Sequence, residues 1–92
     1  MSEVRRTLEI VNQRGLHARA SAKFVGAVAE LPESVSVKIA KDGNEAAGGS
    51  ILGLMMLGAA KGDSVDLIVS GDGSEAVLED LSALISDGFG EE

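Results

Sequence analysis

The 92-residue chain has no cysteine, no tryptophan and no tyrosine, and it holds one proline, one histidine and two phenylalanines. Without cysteine there is no disulfide framework, no thiolate nucleophile and no Cys-based zinc site. A single histidine excludes HExxH-type and other multi-His metal sites, which need two imidazoles on one face. With so few aromatics, the core must be built from Val, Ile, Leu, Met and Ala. No apolar run approaches the roughly 20 residues a bilayer requires; the longest, Ile51 to Leu57, has Gly53 inside it. No apolar stretch follows Arg5 and Arg6, so neither a signal peptide nor membrane insertion is expected, and the expected location is the cytoplasm. The length fits one domain spanning 1–92.

Basic residues are also missing from one end. After Lys61 there are none, whereas nine acidic residues run from Asp63 to Glu92. Arg5, Arg6, Arg14, Arg19 and Lys23 crowd the first quarter, and the net charge is −7. That balance argues against nucleic-acid binding, which needs basic surface to release counterions. The polarity is either one end made to meet acidic partners or phosphate, or simple solubility.

Hydrophobic spacing predicts the element order β-α-β-β-α-β-α. Leu8 and Ile10 alternate within a strand over about 4–11. Ala20, Phe24, Val28 and Leu31 recur at helical spacing from Ala18 to about Glu30, and Pro32 stops the helix. Val35, Val37 and Ile39 alternate in a second strand. Asp42-Gly43 is a type I′ hairpin signal, with a short strand over about 44–48 to follow. Ser50 is a good N-cap for a two-turn helix ending near Gly58. Val65, Leu67 and Val69 form a fourth strand. A last helix from about Ser74 to Asp87 carries the stripe Val77, Leu78, Leu81, Leu84 and Ile85. Gly90-Glu91-Glu92 reads as a frayed end. A four-stranded, mainly antiparallel sheet with the helices on one face, an α+β fold, would bury every stripe.

Three places can carry chemistry. Gly15 permits a sharp strand-to-helix turn that puts His17 at or beside the N-cap of the first helix, where free N–H groups and the positive dipole end gather. Arg19 adds a cation, so the segment is either an anion pocket around an imidazole or an ordinary helix cap. Phosphoryl transfer onto that imidazole needs little beyond positioning and charge stabilisation. Gly48-Gly49-Ser50 lacks the Walker spacing, and Ser50 is either a plain cap or a phosphorylation site beside a helix dipole. Ile51, Leu52, Leu54, Met55, Met56 and Leu57 leave the short helix no polar face. It either exposes an apolar docking patch or lies wedged beneath a loop.

Gly15-Leu16-His17-Ala18-Arg19, Ser50-Ile51-Leu52-Gly53-Leu54-Met55 and Gly58-Ala59-Ala60-Lys61-Gly62-Asp63 together resemble the HPr family. These are the histidine-containing phosphocarriers of the bacterial phosphoenolpyruvate-dependent phosphotransferase system, and the resemblance spans nearly the whole chain. It implies an open-faced β-sandwich; no cofactor or metal is expected, and the chain is expected to be a monomer. It also implies that His17 takes a phosphoryl group at Nδ1 from phospho-enzyme I and passes it to an enzyme IIA. Arg19 would neutralise the phosphate, with the Ala18 and Arg19 N–H groups completing its cradle. Ser50 matches the position that an HPr serine kinase/phosphorylase modifies in many members. Ile51, Leu52, Met55 and Met56, with Arg19 and Lys23, match the partner-docking surface.

One departure and one likeness bear on the branch. Ala20 stands where most relatives have proline, at some loss of rigidity in the first helical turn. Ala20-Ser21-Ala22-Lys23-Phe24 resembles the nitrogen-related branch, whose members regulate rather than transport sugar. A different class of function is a regulatory binding module whose phosphorylation state controls partners without onward transfer. A small-molecule sensor using Gly48-Gly49-Ser50 leaves His17 and Arg19 unexplained.

Overall fold

A computed structural model describes residues 3–91. The strands β1 (Glu3–Glu9), β2 (Ser36–Lys41), β3 (Asn44–Ala47) and β4 (Ser64–Ser70) form one sheet in the order β1-β4-β2-β3. Every neighbouring pair is antiparallel. The register sets apolar residue against apolar residue on one face: Val4 and Val37 flank Val69, and Leu8 lies opposite Val65. Helices α1 (Ala18–Ala29), α2 (Ile51–Met56) and α3 (Ser74–Ser86) cover this face, giving the expected α+β architecture. Phe24, Leu54, Leu81 and Ile85 meet Val65, Leu67 and Val69 in a single core cluster.

The other face of the sheet stays open. Thr7 donates a hydrogen bond to Asp66 at 2.7 Å, Arg5 lies 3.5 Å from the same carboxylate, and Ile68 is flanked in register by Arg5 and Lys38. Long basic side chains can cover such an isolated apolar residue with their aliphatic stems while their charges remain in water.

Local signals explain most element ends. Asp42 and Gly43 both take positive φ, 52° and 84°, as a type I′ turn demands. Ser50 caps α2, accepting from the Gly53 N–H at 2.9 Å, and Gly58 adopts φ 68° just beyond the Leu57 C-cap. The first strand is shorter than its alternation predicts. It ends at Glu9 because Ile10 leaves β4 and exchanges hydrogen bonds with the loop before it, through Asp63 O and the Gly62 N–H.

The chain's end departs from expectation. Gly90 and Glu91 are not frayed: Gly88–Gly90 form a 3₁₀ turn that buries Phe89 completely, and the Lys23 ammonium donates to the Phe89 carbonyl at 2.8 Å. Burial of the ring fixes the turn around it and sets Glu91 down beside the start of α1. Glu92 lies outside the described residues. Among the described residues, no helix is long and apolar enough to cross a membrane.

Candidate functional site

The loop between β1 and α1 is held from both sides. The Leu16 side chain is buried in the core, and its N–H donates to Ala59 O at 3.0 Å. Behind it, Ser21 donates from its hydroxyl to Leu16 O and from its N–H to His17 O. Gly15 takes φ +63° so closely against Ala59 that a Cβ would lie 2.2 Å from the Ala59 carbonyl oxygen.

These contacts leave His17 as the N-cap of α1 in extended backbone conformation (φ −77°, ψ −177°), with Nδ1 accepting the Arg19 N–H at 3.2 Å. Capping by an imidazole nitrogen aims that nitrogen at the first turn, where the helix gathers its unpaired N–H groups and the positive end of its dipole. The opposite nitrogen, Nε2, meets Glu91 Oε2 at 2.7 Å, and the His17 side chain is only 17% exposed.

Glu91 is itself gripped. Asn12, a buried residue, donates from Nδ2 to Glu91 Oε1 at 3.1 Å and to Gly15 O at 2.8 Å. The Asn12 hydrogen bond, then the hydrogen bond of His17 and the charge of Arg14, hold the Glu91 carboxyl below the usual carboxylate range against the opposing effect of burial. The carboxylate is therefore ionised at neutral pH and persists into acid further than a free glutamate would.

The other expected site residues fall in two groups. Ala18 and Arg19 are exposed beside His17, and the Arg19 guanidinium has no carboxylate partner among the described residues. Lys23 is tied to the Phe89 carbonyl, so its charge serves the chain's own end. Helix α2 packs on α1 through buried Leu54 and exposes Ile51, Leu52, Met55 and Met56, with Leu52 and Met56 the most open at 67% and 77%. The wedged-helix alternative is thus excluded. Ser50 sits at the start of this helix as a working cap. Ser50→Ala is expected to cost about 1 kcal/mol, read as a lower urea midpoint with an unchanged slope.

Asn12 and Glu91 were not legible as site residues. Asn12-Gln13-Arg14-Gly15 only breaks the pattern of the first strand, and Glu91 falls in the Gly90-Glu91-Glu92 segment that reads as frayed.

Residues 4–87 match the family model described as the PTS HPr component phosphorylation site. The chain belongs to the HPr family. Phosphocarrier protein HPr of Neisseria meningitidis is 40% identical over 88 residues, covering 96% of this chain and 97% of that protein. Phosphocarrier protein NPr of Escherichia coli K12 is 33% identical over 89 residues, covering 97% and 98%. The crystal structure of HPr from Thermoanaerobacter tengcongensis superposes with a TM-score of 0.86 at 40% identity, covering 100% of this chain and 99% of that one. As an HPr-family member, the chain is a phosphocarrier protein of the phosphotransferase system with an open-faced β-sandwich fold.

Proposed function

We propose that this HPr-family protein carries its phosphoryl group on Nδ1 of His17, taking it from phospho-enzyme I and giving it to a histidine of an enzyme IIA. The observation that carries the reading is the capping geometry: Nδ1 is the ring nitrogen turned toward the start of α1. An incoming phosphoryl group would meet the N–H groups of Ala18 and Arg19 and the Arg19 cation. Fixed donors placed where negative charge gathers are the main aid phosphoryl transfer needs.

The exposed face of α2, a helix packed on α1, supports a docking role for Ile51, Leu52, Met55 and Met56, together with Arg19 and Lys23 of α1. In this reading the whole chain is one cytoplasmic, monomeric phosphocarrier domain. A serine kinase would act at Ser50, where a phosphate adds charge beside that surface. The Ala20-Ser21-Ala22-Lys23-Phe24 segment supports a nitrogen-type role, whereas the Neisseria HPr is the more similar of the two named relatives. The test therefore uses both kinds of enzyme I.

Intact-mass spectrometry after incubation with phosphoenolpyruvate and each enzyme I should show the gain of one acid-labile phosphoryl group. His17→Ala should gain none. Addition of an enzyme IIA should return the mass to its starting value. A phosphorylated form that keeps its mass in the presence of enzyme IIA would favour the regulatory module, and no gain with either enzyme I would overturn the carrier reading.

A further inference from the structure

We infer that Glu91, steered by Asn12, is a positioning residue that selects the tautomer of His17 and balances the charge its ring gains on phosphorylation. The inference rests on the phosphocarrier reading and extends it to the chain's last described residue. The juxtaposition that carries it is His17 Nε2 at 2.7 Å from Glu91 Oε2, with Asn12 Nδ2 at 3.1 Å from Glu91 Oε1.

The two sides of the imidazole are not equivalent. Nδ1 faces the Arg19 N–H, a backbone donor that cannot accept, so Nδ1 must present a lone pair. Nε2 faces a carboxylate, which can only accept, so Nε2 must carry the proton. A neutral imidazole has one donor and one acceptor nitrogen, and both neighbours demand the same assignment. The lone pair is thereby placed on Nδ1, the nitrogen turned toward the helix start. The orientation of Asn12 follows from the same logic. Its NH₂ group contacts two oxygens, Gly15 O and Glu91 Oε1, and a flipped amide would set oxygen against both.

During transfer, the Nδ1 lone pair forms the new N–P bond as the bond from phosphorus to the donor atom of phospho-enzyme I breaks and its electron pair returns to that donor atom. The Nε2 proton stays on His17, so the phosphorylated ring is cationic until the group leaves. A carboxylate held against Nε2–H stabilises that cation, much as a buried Asp orients and supports the general-base His of a hydrolytic triad. Onward donation is the reverse sequence. The N–P bond breaks, the pair returns to Nδ1, and the ring is again neutral with its proton on Nε2.

A substitution that keeps the shape of Glu91 separates this role from packing. In Glu91→Gln, one terminal atom is an acceptor and the other a donor. If the oxygen faces Asn12, the NH₂ confronts Nε2 and drives the proton to Nδ1, against the Arg19 N–H. If the oxygen faces His17, two NH₂ groups collide at Asn12. Glu91→Gln should therefore disturb the ring almost as much as Glu91→Ala, despite its nearly identical volume.

The chain has a single histidine, so long-range ¹H–¹⁵N spectra of the neutral ring report on His17 alone. The wild-type protein should show one tautomer, protonated at Nε2. Glu91→Gln and Glu91→Ala should show mixed or reversed tautomers, with far-ultraviolet circular dichroism unchanged. Rapid-quench measurement of phosphoryl acceptance from phospho-enzyme I should show the maximal rate falling roughly 10- to 100-fold, the size of loss seen when an orienting partner of a histidine ligand is removed. The half-saturating concentration should hold. Retention of the Nε2–H tautomer in both variants, or acceptance at the wild-type rate, would overturn the role. If the wild-type protein accepts no phosphoryl group, the carrier reading fails by itself, and the spectra still decide whether Glu91 sets the tautomer.

Discussion

Gly15→Ala should destabilise the protein by about 3 kcal/mol or more, combining left-handed backbone strain with a forced shift of packed backbone. The new Cβ would sit 2.2 Å from Ala59 O and 2.9 Å from Ala60 Cα, both backbone atoms that cannot swing aside. Domains of this kind have only about 5–15 kcal/mol in total, so the loss should be plain in an equilibrium urea titration. The effect on function should exceed the effect on fold. Relief of the clash separates the β1–α1 loop from Ala59, which breaks the Leu16 N–H to Ala59 O bond and turns His17 away from its cap position. Phosphoryl acceptance should drop even where the variant is fully folded. A Gly15→Ala protein with wild-type stability and acceptance rate would show that this close approach does not hold the site.

The second large effect is expected at Phe89. Its ring is fully buried, yet its backbone lies at φ 58°, a region non-glycine residues enter at a cost. The conformation persists because ring burial outweighs that strain. Phe89→Ala should cost about 3–5 kcal/mol, the usual range for removal of a buried phenylalanine. Without the ring, the turn at Gly88–Gly90 loses its anchor, the Lys23 contact to the Phe89 carbonyl loosens, and Glu91 leaves His17. The variant should therefore combine a lowered urea midpoint with the tautomer spectrum of Glu91→Ala. Phe89→Leu should recover most of the stability and the wild-type spectrum. Phe89→Ala with an undisturbed His17 spectrum would show that Glu91 is held without the ring.

How much of this was legible in the sequence depends on how far apart the interacting residues lie. Asp42-Gly43, the Ser50 cap and Gly58 are local devices whose partners sit within a few residues, and each performs as its chemistry predicts. The strands and helices follow from periodicity, since each apolar stripe needs only a core to face. His17 was legible as a cap for the same reason. Its second partner was not, because Glu91 is 74 residues away and no periodic pattern links the two. Phe89 lies past the last helical stripe and between two glycines, so no periodic pattern marks it as packed. The charge polarity was legible only in part. The acidic half folds back onto the basic quarter, with Glu79 at 2.7 Å from Arg6 and Asp66 at 3.5 Å from Arg5. Of the early basic residues, Arg19 is exposed and without a carboxylate partner among the described residues.

The sheet order has a consequence for how the protein is made. Of the four strands, β1 is made before its partner β4, residues 64–70, so it must wait unpaired until those residues have been translated. Long-range pairing of this kind slows folding, because the loop must close before any contact rewards it. The His17 loop waits longer still: Leu16 bonds to Ala59, and the imidazole meets Glu91 through Nε2. A nascent chain exposes the histidine early without its final orientation, and that orientation arrives only when the residues up to 91 have been synthesised and docked.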